Sequence, residues 1–425
     1  MNTVPKSLRL QIGIFGRTNV GKSSFLNMVC AQDVAITSPV AGTTTDVVEK
    51  CMELLPIGPV VFLDTAGIDD SSVLAPERRA KTEKIFDRAD IIVLIATPDG
   101  WSEYEQRIVD QARKRGLAHL VVVNRIDEQS PCAELLDNLR NKKCRYMLCS
   151  SIDAKKRNEY INEFKTNLLA ISPDALLSAP ALIEDLVPGN GTAVLIVPID
   201  LEAPKGRIIL PQVQVIRSLL DGNAAAIVVK ETEYAGMLKR LKQAPDIVVC
   251  DSQVSERMVR ETPEGITCTT FSILFARYKG DLAPLAQGAA RLRELSPGDK
   301  VLIAESCSHH PIEGDIGREK IPRWLEEFAG GRLDFDTCAG RDFPDDLKKY
   351  KVIISCGGCM LTRREMLFRI QKARQQNVPI TNYGMCIAQT QGILERVLSP
   401  FPEALAMLNK VKQEDEAVVS HGTCK

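Results

Sequence analysis

Gly16-Arg17-Thr18-Asn19-Val20-Gly21-Lys22-Ser23 is the stretch that decides the fold of this 425-residue chain. It matches G-x-x-x-x-G-K-[ST], with the apolar run Leu10 to Phe15 before it and the helix-like run Ser24 to Cys30 behind it. A strand, a glycine-rich turn and a helix in that order form a phosphate cradle. The glycines let backbone N–H groups wrap the phosphates, Lys22 brings positive charge to the β- and γ-phosphates, and the Ser23 hydroxyl ligates Mg²⁺. Nucleotide contacts are expected from Gly16, Arg17, Thr18, Asn19, Val20, Gly21, Lys22, Ser23 and Ser24.

Further pieces follow in the order a GTPase needs. Asp64-Thr65-Ala66-Gly67 trails the apolar run Val60 to Leu63. Asp64 is placed to hold Mg²⁺ in its outer shell and Gly67 to offer its N–H to the γ-phosphate. Between the two motifs lies Gly42-Thr43-Thr44-Thr45-Asp46, where Thr44 is the residue expected to complete the Mg²⁺ shell when the γ-phosphate is present. Lys22, Thr44, Asp64 and Gly67 are thus the expected catalytic set. Asn124-Arg125-Ile126-Asp127 follows the run Leu120 to Val123 and resembles N-K-x-D with arginine for lysine. The Asp127 carboxylate accepts hydrogen bonds from guanine N1 and N2, which adenine does not offer in that arrangement; GTP and its product GDP are therefore expected over adenine nucleotides. Cys149-Ser150-Ser151 stands where the last base-contacting loop belongs, so Ser150 and Ser151 join the site. Ile68 occupies the position at which Ras-like enzymes carry a water-orienting glutamine, and slow intrinsic hydrolysis is expected.

Alternation of apolar runs with helix-length amphipathic segments predicts an α/β chain of three domains. The reading is a P-loop GTPase domain over 1–172 with a mostly parallel sheet covered by helices on both faces, a linker over 173–191 rich in Pro, Ser, Ala and Gly, a small α/β domain over 192–265, and an α/β domain with parallel strands over 266–425. Phe271 to Leu295 reads as a helical stretch, and Lys300 to Glu305, Lys351 to Ser355 and Val378 to Asn382 as strands. A net charge of -1 argues against a nucleic-acid surface, which leaves a basic excess. Apolar stretches such as Ala224 to Val229 fall far short of a bilayer span, and the N-terminus lacks an apolar signal core, so a cytoplasmic protein without membrane partners is expected.

Thirteen cysteines remain to be explained, and in a reducing compartment those clustered at ligand spacing point to a metal or redox site. Cys307-Ser308-His309-His310 follows one predicted strand of the third domain and Cys356-Gly357-Gly358-Cys359 the next. Ligands of open α/β sheets bind outside the carboxyl ends of the strands, so these loops should converge. Three fillings stay open: zinc on Cys307, Cys356, Cys359 and His309; a 4Fe-4S cluster on the three cysteines; or buried thiols without a metal. His309, Glu313 and Cys386 are candidates for a fourth ligand.

The P-loop G-R-x-N-V-G-K-S with G-T-T-x-D resembles the TrmE and Era group of GTPases, whose members often use K⁺ held partly by the P-loop asparagine, here Asn19. Taken over its whole length, with Ser272 to Leu282 (SILFARYKGDL), Glu313 to Leu325 and Asn382-Tyr383-Gly384 as local matches, the chain resembles the HydF family of FeFe-hydrogenase maturation GTPases. Ser355 departs from that family's frequent histidine before C-x-x-C. The resemblance implies a homodimer with a middle dimerisation domain and a C-terminal cluster domain. It further implies a scaffold that carries a 4Fe-4S cluster, receives a transient di-iron precursor, works with the radical-SAM maturases HydE and HydG, and delivers to apo FeFe-hydrogenase. The competing reading is a TrmE/Era-like GTPase acting on RNA or the ribosome, with a zinc-binding C-terminal module.

Overall fold

The computed structural model describes residues 5–30, 48–64, 75–172, 180–199, 208–306, 315–340 and 342–422. The chain divides into two compact units, Met1–Ala179 and Pro180–Lys425.

The first unit is built on six strands: β1 (Leu10–Phe15), β2 (Val48–Leu54), β3 (Gly58–Asp64), β4 (Ile91–Ala96), β5 (Ala118–Val123) and β6 (Arg145–Leu148). Their order is β2-β3-β1-β4-β5-β6, with β2 antiparallel to β3 and every other pair parallel. The edge strand β2 has no counterpart in the sequence reading. Side chains alternate between two cores, as the period of two requires. Ile12 and Ile14 of β1 meet Phe25 and Phe164 on one face, whereas Phe15 meets Phe86 and Ile85 on the other. Every residue of the run Ile91–Ala96 is buried, as expected of a parallel strand covered on both faces. Register pairs Ile14 with Asp64, Ala96 with Val123 and Val123 with Leu148, so the loops after β1, β3, β4, β5 and β6 leave the sheet along one edge.

The second unit holds two parallel four-stranded sheets. One contains β7 (Thr192–Ile196), β8 (Ala225–Val229), β9 (Ile247–Cys250) and β10 (Thr267–Thr270), ordered β10-β9-β7-β8. The other contains β11 (Lys300–Ala304), β12 (Asp334–Cys338), β13 (Val352–Ser355) and β14 (Ile380–Asn382), ordered β12-β11-β13-β14. A single hydrophobic cluster runs through both, including Leu195, Val249, Phe275, Leu285, Leu302 and Ile353.

Several elements differ from the sequence reading. Residues 180–191, taken from composition as part of a linker, belong to the second unit, where Leu182, Ile183 and Val187 are buried in the shared core. Arg277 fastens this segment by donating from Nη2 to the Ala181 carbonyl and to the Asp185 carboxylate, each at 2.7 Å. Strand β10 lies beyond the expected boundary at 265/266 and closes the edge of the first of the two sheets. The helical stretch is two helices, Phe271–Lys279 and Leu282–Ala290, parted where Asp281 caps the second by accepting from the Ala283 N–H. Helix Leu282–Ala290 lies so close to β14 that a Cβ at Gly288 would sit 2.0 Å from the Ile380 carbonyl oxygen.

Candidate functional site

At the carboxyl end of β1 the chain enters the glycine loop. Gly21 has φ +92° and a Cβ there would fall 2.4 Å from Asn124 Nδ2, so both backbone and space demand glycine. Lys22 opens the helix Lys22–Cys30, and its ammonium lies across the loop, donating to the carbonyls of Gly16 (2.5 Å) and Arg17 (2.9 Å). The Arg17 guanidinium is held sideways, with Nε on Glu105 Oε1 at 2.7 Å and Nη2 on Thr97 Oγ1 at 3.2 Å. Glu105 is fully buried, and its other oxygen accepts from the Ser102 N–H at 2.9 Å, so one carboxylate both caps the helix Glu103–Lys114 and steadies the loop.

Asn124 ties this loop to two others. It is 1% exposed at the end of β5, donates from Nδ2 to the Val20 carbonyl at 3.0 Å, and accepts on Oδ1 from the Ser151 N–H at 3.0 Å and the Ser151 hydroxyl at 2.7 Å. The Cys149 thiol also approaches Oδ1 at 3.6 Å; burial pushes its pKa up to about 12, so it remains a donor. Arg125, at φ +68°, donates from Nη1 to the Asn19 carbonyl at 3.2 Å and pairs with Glu128. Asp127 is exposed beside them and Ser150 is buried. Asp64 is buried at the end of β3, level with Ile14 at the same sheet edge. The structure therefore gathers residues 16–24, 124–127 and 149–151 around one edge. Thr44, Gly67 and Ile68 lie outside the described residues.

The second site stands at the carboxyl ends of β11, β12 and β13. Cys356 follows β13 and donates its N–H to the Ala304 carbonyl at 2.9 Å. Its Sγ accepts from the Ser306 N–H at 3.1 Å and lies 2.8 Å from the Ser306 hydroxyl. The loop 356–361 is held by Lys279, a residue the sequence reading passed over. Lys279 is 1% exposed and donates to three carbonyls, those of Gly358 (3.0 Å), Cys359 (3.0 Å) and Leu361 (2.9 Å). Burial lowers its pKa to about 8, partly opposed by Cys359, Glu365 and Cys356. Burial raises the Cys359 thiol; Cys356 adds to the effect and Lys279 counters it.

Cys307, His309 and Glu313 lie outside the described residues. On either side of that segment, Arg318 grips the buried Glu305 with Nη2 on Oε2 at 2.9 Å and Nε on Oε1 at 3.2 Å. Cys386, weighed as a fourth ligand, is instead buried in an apolar cluster with Ile303, Ile354 and Ile387, and burial pushes its thiol far up. Cys338, the last residue of β12, was not foreseen, because that strand itself was missed. Among the described residues no three His, Cys, Asp or Glu side chains are gathered as metal ligands. The described donors nonetheless suit a thiolate-bound group: two thiols share a cation-fixed loop, and the sulfur of Cys356 already receives a backbone N–H.

Comparison with known proteins divides the chain in the same order. Family models match residues 11–125 as a 50S ribosome-binding GTPase, 182–280 as a hydrogen maturase F dimerization domain, and 283–400 as a hydrogen maturase F tetramerization domain. GTPase Der of Parasynechococcus marenigrum is 39% identical over 123 residues, 28% of this chain and 27% of its own. The tRNA modification GTPase MnmE of a Cyanothece species is 39% identical over 120 residues, 28% of this chain and 25% of its own. The chain thus spans 25 to 27% of the length of these two relatives. Among solved structures, the G domain of the T. maritima FeoB iron transporter aligns over 39% of this chain and 99% of its own at 16% identity and a TM-score of 0.31. With a GTPase domain followed in sequence by both hydrogen maturase F domains, the chain belongs to the HydF family.

Proposed function

We propose that the chain is a GTP-hydrolysing scaffold of FeFe-hydrogenase maturation. It holds a 4Fe-4S cluster on Cys307, Cys356 and Cys359 and hands a di-iron precursor to apo-hydrogenase. The observation that carries the reading is the loop 356–361, on which two thiols stand over a backbone fixed by buried Lys279, in a chain whose other unit is a GTPase. The radical-SAM maturases HydE and HydG are the proposed suppliers, and the hydrogenase the recipient. A homodimer is supported by the dimerization domain and by exposed Val213, Leu220 and Val228 around the edge strand β8. No described helix is long and apolar enough to cross a membrane, and a cytoplasmic setting is proposed.

In the first unit, Lys22 leaves the loop carbonyls to meet the β- and γ-phosphates, with Ser23, Thr44 and Asp64 arranged about Mg²⁺ and Asn19 toward K⁺. Asn124 holds the base-reading loop against the phosphate loop, which leaves Asp127 to select guanine. Gly67 offers its N–H to the γ-phosphate. Without a glutamine after it, the attacking water is poorly oriented, so turnover is slow and serves as a switch. In the second unit the cluster, when bound, supplies an iron with an exchangeable position. The residues hold the thiolates in place, Lys279 through the backbone and Ser306 through the sulfur of Cys356.

Anaerobic purification tests the reading. Brown protein carrying about four irons, lost on Cys307→Ser, is the expected result. Colourless protein with a single zinc would instead favour the RNA- or ribosome-acting GTPase. Equal turnover in Na⁺ and K⁺ salts removes the potassium role of Asn19.

A further inference from the structure

Arg369 lies on the helix Arg363–Gln375, within the second unit, and is 3% exposed. Two contacts fix its plane: Nη2 donates to the Gly340 carbonyl at 2.7 Å, and the guanidinium lies 5.0 Å from the centroid of the Phe343 ring. Its Nη1 is buried and meets no acceptor among the described residues. An unanswered guanidinium N–H in such a place is costly, since a buried donor forfeits its water without gaining a partner.

Cys338, Cys356 and Glu365 lie within electrostatic reach of Arg369. Cys338 and Ser355 are both level with Ala304, on either side of β11. Cys338 and Cys356 therefore flank the end of the middle strand, about two strand spacings or roughly 10 Å apart. Burial lowers the pKa of Arg369, and Cys338, Cys356 and Glu365 oppose that shift. Lys279 contributes a second buried cation on the Cys359 side, and Glu365 and Cys356 act on it too. Glu365 is the carboxylate shared by the two cations, and one of its oxygens already caps the helix at the Thr362 N–H. Two buried cations over one shared carboxylate leave room for further negative charge at Cys356.

We propose that Arg369 is the charge-recognising residue of this site, its Nη1 N–H donating to a negatively charged sulfur of the metal group bound at Cys356 and Cys359. The assignment rests on the iron–sulfur reading above. Charged hydrogen bonds to such sulfurs stabilise the more negative, reduced state, so they set the reduction potential as well as the fit.

The test uses full-length protein reconstituted anaerobically with iron and sulfide. Iron content and midpoint potential are measured for wild type, Arg369→Gln, Arg369→Lys, Cys338→Ala and the double variant Cys338→Ala with Arg369→Gln. Arg369→Gln should bind wild-type iron and shift the potential to more negative values, Arg369→Lys should recover most of that shift, and the shift should persist without Cys338. Full iron with an unmoved potential overturns the assignment alone. A shift that vanishes in the Cys338→Ala background also overturns it, because the guanidinium then answers to Cys338. Should Arg369→Gln lose its iron, Arg369→Lys decides: iron retained supports charge recognition, and iron lost in both means that Arg369 only packs on Phe343 and Gly340. A wild type that takes up no iron removes the iron–sulfur reading and this assignment together.

Discussion

Asn124→Ala removes a side chain that touches all three loops of the nucleotide site. The carbonyl of buried Val20 loses its 3.0 Å donor, and the Ser151 N–H and hydroxyl lose a shared acceptor. A buried carbonyl left unanswered costs about 1–3 kcal/mol and each neutral hydrogen bond about 1 kcal/mol. Ser151 is half-buried, so water replaces part of its loss, and the expected destabilisation of the first unit is about 2–4 kcal/mol. The same loosening disperses the loops that GTP must find assembled. If half of that energy is lost again on binding, GTP affinity falls by roughly 5- to 30-fold. Urea unfolding in a Trp324→Phe background reads the first unit through Trp101, and a fluorescent GTP analogue reads affinity. Ser151→Ala, which removes only the hydroxyl, should cost about 1 kcal/mol. An Asn124→Ala protein with the wild-type unfolding midpoint but weakened GTP binding would refute the reasoning, because the amide would then act on the nucleotide rather than on the loops.

Gly21→Ala should abolish GTP binding, since its Cβ falls 2.4 Å from Asn124 Nδ2 at a backbone angle that alanine resists; nucleotide titration by fluorescence would show it, and an affinity within tenfold of wild type would contradict the placement. Gly288→Ala drives a methyl to 2.0 Å from the Ile380 carbonyl oxygen, and the second unit should lose several kcal/mol, on the order of a severe overpacking defect, in thermal unfolding. Tyr234, buried with its hydroxyl 2.7 Å from Thr262 Oγ1, has its pKa raised by burial from 10.0 to about 12. The unfolded chain releases this proton first, so stability present below pH 10 should decline by on the order of 2–3 kcal/mol as pH rises toward 12. Tyr234→Phe should flatten that part of the stability profile, and an unchanged alkaline slope would count against it.

How much of this was legible depends on where each residue's partners lie. Gly16 to Ser23 declares itself because its constraint is local: a strand, positive-φ positions and a helix start within eight residues. Asn124 and Ser151 were legible by the company they keep with that loop, although Asn124 bonds across 104 positions to Val20. In the second unit the signal thins. Strand β12, Asp-Phe-Asp-Thr-Cys, is a half-exposed edge with polar residues at Asp334, Asp336 and Thr337, so no apolar run marks it, and Cys338 stayed hidden with it. Prolines and serines mask the apolar anchors Leu182, Ile183 and Val187, which take their meaning from a core shared by two sheets. Boundaries drawn from alternation fail for the same reason, since β10 is separated in sequence from the sheet it completes by a loop and helix.

Lys279 makes the physical point most sharply. In Phe-Ala-Arg-Tyr-Lys it reads as a cation ending an amphipathic helix, where basic residues favour the last turn and stretch to water. It does the reverse, turning inward to three carbonyls between 79 and 82 positions away. Burying an ammonium is costly enough to lower its pKa to about 8, even with Cys359, Glu365 and Cys356 opposing the shift. A loop that needed no more than fixing could have been held by neutral donors. Lys279 and Arg369 both lie within electrostatic reach of Cys356, and a pair of cations kept out of water accords with the proposal that the thiols there bind a metal group as thiolates. The cysteine spacing announced the thiols; the buried cations Lys279 and Arg369 beside them become visible only in three dimensions.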